Sequence, residues 1–316
     1  MKSSAFNPTH VVACLLVGVT AVLLSFGALV TTYEAAMAVP DWPGTYGHNM
    51  FLFPWAEWLH GPWDLFLEHG HRLLGATAGL VTLVLAAVAW RSPVRPAVRW
   101  LAVAAVALVV LQGALGGARV LLDDKTVAKV HACTGPLFFA VAVAIATLSR
   151  RPADGGARGA ARVPVALLIA AYLQLVAGAQ LRHLDATVDP ATFRGLVGLH
   201  ILGAVAVTVL SVVSAVVLGE DGSTAARRWS KGIVALVVLQ LLLGAGAWVA
   251  NWGIPAGVLP ESWRWSEPLR ARSIGNAAVV TGHVVLGMLI LAASVVLAIR
   301  AGAVGDATAR EERAFA

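Results

Sequence analysis

Residues 66–75 read FLEHGHRLLG, and a long apolar run, LLGATAGLVTLVLAAVAW, follows from Leu73. A glutamate, two histidines and an arginine stand at the mouth of that run. Ionisable residues inside a membrane segment are costly and mark functional sites. Three further histidines share the setting of His71. His131, His200 and His283 each lie near the start of an apolar run, with a glycine three or four residues on (Gly75, Gly135, Gly203 and Gly287 for the set of four). A single buried histidine most often packs or hydrogen-bonds. Four in a matched frame suggest chemistry, because neutral imidazole is the commonest metal ligand. Two histidines on facing helices of one bundle can supply both axial ligands of a haem iron. The pairs expected from helix order are His71 with His131 and His200 with His283. The glycine one turn below each would leave room for a flat macrocycle. Two nitrogens, with no cysteine or second carboxylate, suit a lone zinc ion or a di-iron centre poorly.

The four histidines differ in one respect. Glu68 stands three residues before His71, whereas Ala128, Val197 and Val280 hold that place before the others. A carboxylate at one site only points to chemistry in the N-terminal half and to an electron-carrying group in the other. The plainer reading of Glu68 is a solvated residue at a helix N-terminus, where negative charge is favourable. Arg72, Arg119 and Arg182 lie near the same level and could bind haem propionates bidentately; simple interfacial arginines are the alternative. His10, His48, His60 and His183 lack the setting, and His69, two residues from His71, points to another face of the helix.

Helices in a membrane must position these residues. The chain has 316 residues, 59% hydrophobic and only 13% charged, with a mean hydropathy of +0.79. About a quarter of a soluble chain is charged. Runs of ~20 apolar residues are needed to cross a bilayer, and eight are present, at about 9–30, 67–90, 98–118, 127–149, 163–182, 195–218, 232–250 and 277–299. Leu/Ala/Val-rich continuous runs favour helices over a barrel. The net charge of +6 is not a nucleic-acid signature, because its placement follows the positive-inside rule. Arg91, Arg95 and Arg99 fill one loop, Arg150, Arg151, Arg158 and Arg162 another, Arg227, Arg228 and Lys231 a third, and Arg300, Arg310 and Arg313 the tail. Residues 33–65 contain no Lys or Arg. Both termini are therefore expected on the cytoplasmic side. Trp90, Trp100 and Trp229 fall at inner helix ends; Trp42, Trp55, Trp58, Trp63, Trp248, Trp252, Trp263 and Trp265 fall at or near outer loops, as interfacial Trp should. The first run is longer than the 7–15 residues of a signal-peptide core, so residues 1–38 are expected to stay. Cys14 and Cys133 both fall in apolar runs and make no disulfide framework.

Internal repetition organises the runs. LVVLQ occurs at 108–112 and at 236–240, and YLQLVAGA at 172–179 is a third relative. Gln112, Gln174 and Gln240 each precede a glycine by four residues (Gly116, Gly178, Gly244) on a shared helix face. Such a face suits close helix packing, with glutamine bonding across it. Copies in alternate helices predict two pseudo-symmetric four-helix bundles, at 1–150 and 163–300. A basic linker at 151–162 joins them, and a tail follows at 301–316.

The E-x-x-H-R-L-L-G start of the second run, the placed histidines of runs four, six and eight, the LQ-x-x-x-G repeats and the phrase PDWPGTYG resemble the haem A synthase family over nearly the whole chain. The resemblance implies an all-α membrane enzyme of eight transmembrane helices in two bundles. It implies oxidation of the C8 methyl of haem O to the formyl of haem A, for cytochrome oxidase. It further implies Glu68 as the catalytic carboxylate, His71 and His131 as ligands of the substrate haem, and His200 and His283 as ligands of a haem b cofactor. Many relatives flank PDWP with cysteines; here Val39 and Thr45 stand near those places, so no thiol role is expected of the loop. The aromatic stretch FLFPWAEWLHGPW suits a lid over substrate. The rivals are a di-haem membrane cytochrome that only transfers electrons and a proton-coupled transporter. Candidate partners are the lipid bilayer, haem O synthase and a second copy of the chain, in a bacterial cell membrane. The electron donor and the oxygen source are not legible.

Overall fold

The computed structural model describes residues 7–150, 162–184, 187–253 and 273–314, with backbone alone for residue 221 and for 303–314. Most of the expected linker, Trp263, Trp265, Arg264, Arg270, Arg272 and the side chains of Arg310 and Arg313 lie outside the described residues. Within them the chain is all helical. α1 (Pro8–Thr32), α3 (Trp63–Arg91), α4 (Pro96–Leu122), α5 (Lys125–Ser149), α6 (Arg162–Arg182), α7 (Pro190–Asp221), α8 (Thr224–Trp252) and α9 (Ile274–Ala314) contain the eight apolar runs, and α2 (Trp55–His60) is a short turn of helix in the loop between α1 and α3. All eight are long and apolar enough to cross a membrane, and this is an integral membrane protein. Helices are the expected solution, because lipid offers no partner for an unpaired backbone group.

Local chemistry sets the ends. Asn7, Asp124, Asp189 and Ser223 cap α1, α5, α7 and α8 by accepting from backbone N–H groups of the first turn. Pro8, Pro96 and Pro190 occupy first-turn positions, where the missing N–H is not needed. Asp123, with φ of 45°, and the cap Asp124 reverse the chain between α4 and α5. α7 and α8 begin several residues earlier than their apolar runs alone predict, since polar first turns belong to them, whereas α1 and α5 begin within two residues of the expected starts.

The helices form two rings. α1 packs on α3, α3 on α4, α4 on α5 and α5 on α1; α6, α7, α8 and α9 close in the same way. α9 packs on α1 and α5, and α6 on α5, to join the rings. The buried share of the apolar stretch is 50% for α5 and 56% for α9, against 11–22% for the other six, so these two helices form the seam. Phe139, Val143 and Val295 are buried in that seam. Small residues at the contacts, such as Ala78, Ala102, Ala105 and Ala142, let helices approach closely where lipid removes any hydrophobic drive between them. Leu80, Leu83, Leu202 and Leu242 remain exposed, as lipid-facing residues should.

Candidate functional site

The two rings bring the four histidines together in two pairs. The ring centroids of His71 (α3) and His131 (α5) are 6.4 Å apart with planes at 84°. Those of His200 (α7) and His283 (α9) are 6.3 Å apart at 68°. These are the pairs that helix order predicts.

Each imidazole rests on a glycine of the preceding long helix. A Cβ built on Gly27 of α1 would meet His71 Cε1 at 3.0 Å. On Gly116 of α4 it would meet His131 Cε1 at 3.4 Å, on Gly178 of α6 His200 Cε1 at 3.3 Å, and on Gly244 of α8 His283 Cε1 at 3.0 Å. The glutamines four residues earlier bond across. Gln174 Nε2 donates to the His200 carbonyl at 2.9 Å, Gln240 Nε2 to the His283 carbonyl at 3.0 Å, and Gln112 Nε2 to the Thr134 hydroxyl. The repeat is thus a seat and a clamp: glycine admits the ring and glutamine ties the neighbouring helix beside it. A fourth copy lies in α1, where Leu23 precedes Gly27 by the same four residues and the Leu23 carbonyl is 3.2 Å from His71 Nδ1. Leucine in place of glutamine hides that copy in the sequence. The glycines expected to make room below the histidines behave less uniformly. Gly75 faces open space, but Gly135, Gly203 and Gly287 lie against the glutamine side chains.

The pairs fit a metal held between two imidazoles. Two metal–nitrogen bonds of about 2.0–2.1 Å, plus the half-widths of two rings, span roughly 6 Å. When Nδ1 of His71 donates to Leu23, its Nε2 lone pair is left for a metal, the usual arrangement of a ligating histidine. Nδ1 of His131 and of His283 are buried without a hydrogen-bond partner. Among the described residues no group of three or more His, Cys, Asp or Glu gathers to hold a bare ion. A macrocycle that brings its own equatorial ligands removes that need.

Glu68 occupies a different environment from the one expected of a solvated helix start: it is 3% exposed. Oε2 accepts from the Val39 N–H at 2.9 Å, and Oε1 from Arg72 Nη2 at 2.8 Å. Arg72 also donates to the carbonyls of Val39, Asp41 and Gly44 at 2.6–2.7 Å. Four of its five donors are thus engaged by Glu68 and the Val39–Gly44 segment, which turns it toward the loop. The segment is pinned at further points. Trp42 lies against Gly117, where a Cβ would come within 2.5 Å of the indole. His69, set aside by the sequence reading, is 2% exposed between Phe53 and Trp58, with Nδ1 2.9 Å from the Thr45 hydroxyl. No local signal gives it this role; only the loop folding back over α3 does. The expected lid residue Trp58 stacks on Phe66 and donates to its carbonyl at 3.1 Å, whereas Phe51, Leu52, Trp55 and Leu59 stay exposed. Asp41 closes the loop by accepting from the Tyr46 and Gly47 N–H groups. Burial pushes its carboxyl up, but those two N–H groups and the Arg72 charge outweigh this and hold it below the usual carboxylate range.

Arg119 and Arg182 do not reach a carboxylate among the described residues. Arg119 Nη2 donates to the Ala36 carbonyl at 2.7 Å, and Arg182 Nη2 to the Ala28 carbonyl and the Thr32 hydroxyl, both at 2.6 Å. Cys14 and Cys133 are free thiols, as their positions predict.

Two rings of four helices, each enclosing one pair of glycine-seated histidines, define a polytopic membrane protein with one imidazole pair in each half. The family described as cytochrome oxidase assembly protein matches residues 10–197, more than half of the chain. The chain belongs to that family. Among curated relatives it is 28% identical to the Heme A synthase of Shouchella clausii, over 72% of this chain and 80% of that protein. It is 27% identical to the Heme A synthase of Halalkalibacterium halodurans, over 64% of this chain and 72% of that protein. A third Heme A synthase, from Alkalihalophilus pseudofirmus, is 29% identical over 56% of this chain.

Proposed function

We propose that this chain is an oxidoreductase that converts the C8 methyl group of haem O to the formyl group of haem A. The observation that carries the proposal is the pair of histidine pairs, each at a spacing that suits one iron between two imidazoles. His71 and His131 hold the substrate haem in the N-terminal half, residues 1–150. His200 and His283 hold a haem b in the C-terminal half, residues 163–300. The haem b, when bound, supplies one-electron chemistry. Two successive two-electron oxidations, each needing an oxidant and an oxygen atom supplied from outside the chain, would take the substrate methyl to the hydroxymethyl and then to the gem-diol, which loses water to give the aldehyde.

The chain's own residues do the positioning. Gly27, Gly116, Gly178 and Gly244 fix where the imidazoles stand, and Leu23 and the three glutamines fix the backbone around them. Glu68 lies one helical turn from His71 on α3 and keeps both oxygens in hydrogen bonds. That geometry favours a fixed negative charge, which stabilises positive charge developing at the substrate carbon, over a freely moving proton acceptor. Glu68→Gln should keep haem binding and stop aldehyde formation; a normal haem A yield from the variant defeats the assignment.

A second reading, the di-haem cytochrome that only transfers electrons, gains from one observation. Glu68 also anchors Val39 and Arg72, and among the described residues α3 is the one histidine helix with a long loop folded onto it. The glutamate's uniqueness therefore has an architectural reason as well as a chemical one. Extraction of the pigment separates the readings: haem O or haem A beside haem b supports the enzyme, and haem b alone supports the cytochrome. The basic residues at the α3–α4 and α7–α8 turns, against a first outer loop without Lys or Arg, support cytoplasmic termini in a bacterial cell membrane.

A further inference from the structure

Arg119 and Arg182 each stand just beyond a histidine seat, on α4 of one ring and on α6 of the other. Arg119 comes three residues after Gly116, the seat of His131, and Arg182 four residues after Gly178, the seat of His200. Residues three or four apart share a helix face, and one turn rises about 5.4 Å. Each arginine is therefore one turn outward of an imidazole seat. The other two seats carry no cation at that level: Val30 and Thr31 follow Gly27, and Ala247 and Trp248 follow Gly244.

Arg182 also crosses between the rings. It belongs to α6, yet its Nη2 is held by Ala28 and Thr32 of α1. Ala28 is the neighbour of Gly27, the seat of His71. The Thr32 hydroxyl lies 3.1 Å from that of Thr281 on α9. One guanidinium thus stands one turn above the seat of His200 and beside the seat of His71. The charges acting beside Arg182 are positive, whereas Arg119 also feels the Glu68 and Asp123 carboxylates beyond salt-bridge distance. His183, next along the chain, is pushed down to about 4 by burial and then by the charges of Arg182, Arg119 and Lys129. Neither Arg119 nor Arg182 has an acidic partner within salt-bridge distance among the described residues. A guanidinium carries five N–H donors in a fork that matches a carboxylate. The bonds to Ala36, Ala28 and Thr32 leave part of each fork uncommitted.

We infer that Arg119 and Arg182 form a carboxylate-binding row for the acidic side chains of the two tetrapyrroles, with Arg182 shared between the histidine pairs. This rests on the reading of the pairs as haem sites. Arg119 serves the N-terminal half. Arg182 serves both, so occupancy of one half is tied to the order of the other through α1.

The test uses the purified full chain, freed of pigment, in His71→Ala and His200→Ala backgrounds that each leave one histidine pair intact. Protohaem and its dimethyl ester, which lacks the charged carboxylates, are titrated separately. The readout is the ratio of the two affinities, which general destabilisation does not move. A charged hydrogen-bonded contact should favour the free acid by roughly 10- to 100-fold. Arg182→Gln should remove most of that preference in both backgrounds, Arg119→Gln only in the His200→Ala background, and Arg182→Lys should restore part of it. Equal binding of acid and ester to the parent proteins overturns the carboxylate row while leaving the haem reading intact. Loss of preference in one background alone after Arg182→Gln overturns the sharing. Failure of both compounds to bind in both backgrounds overturns the haem reading and this inference together.

Discussion

Substituting alanine at the histidine seats tests the geometry directly. A methyl at Gly27 or Gly244 would stand 3.0 Å from Cε1 of His71 or His283, tighter than most Cβ contacts, and the ring must give by a few tenths of an ångström. At Gly178 and Gly116 the distances are 3.3 and 3.4 Å, so the shift is smaller. Overpacking of this kind costs about 1–3 kcal/mol. If the displaced ring is an axial ligand, the cost falls on the bound macrocycle and weakens its retention roughly 5- to 150-fold. The expected order is Gly27→Ala and Gly244→Ala worst, then Gly178→Ala, then Gly116→Ala. Gly113→Ala is the control, because a methyl there meets nothing within 4 Å. The assay is the rate of haem loss to an excess of an apo-haem-protein acceptor, with the low-spin spectrum followed in each half. The geometric account fails if Gly27→Ala and Gly244→Ala retain haem as the control does, or if Gly27→Ala disturbs only the C-terminal site.

Arg72→Gln leaves Glu68 without its ionic partner in a buried site and should cost about 3–5 kcal/mol; thermal melts should show Glu68→Gln/Arg72→Gln to be milder than the sum of the single variants, and simple additivity would refute the coupling. His69→Ala should lower stability by about 2–3 kcal/mol through lost packing against Phe53 and Trp58 while the haem content stays at two per chain; loss of a haem in that variant would make His69 part of the site. The loop closure by Asp41 should depend on acidity in a defined direction. Its folded carboxyl titrates below the ordinary value of 3.8, so the contribution is complete above that pH and disappears as pH falls through the lower folded value. Acrylamide quenching of the loop tryptophans should therefore rise on acidification in the parent protein and stay flat in Asp41→Asn.

Much of this molecule can be read from its residues, because membrane helices leave few choices. Eight apolar runs must become helices, the placement of arginine orients them, and a repeated Gln-x-x-x-Gly frame marks related halves. Helix parity then pairs His71 with His131 and His200 with His283. These are local and periodic properties of sequence, and the structure keeps the helices, the Gln-x-x-x-Gly contacts and the histidine pairs. Contacts between distant segments are not periodic, and there the sequence is silent. That Gly27 seats His71 could be suspected only from Leu23-x-x-x-Gly27, once the other three copies are known to be seats. Arg72 and Glu68 look like a site residue and its neighbour until the loop from Val39 to Gly44 folds onto them and takes up their hydrogen-bonding groups. His69 gains its role the same way, from Thr45, Phe53 and Trp58. Sequence by itself determined the helices and the histidine pairs, since those follow from period and polarity. Tertiary structure alone decided which polar groups are spent on architecture and which remain for a ligand, because a buried donor or acceptor takes its meaning from whatever packs against it.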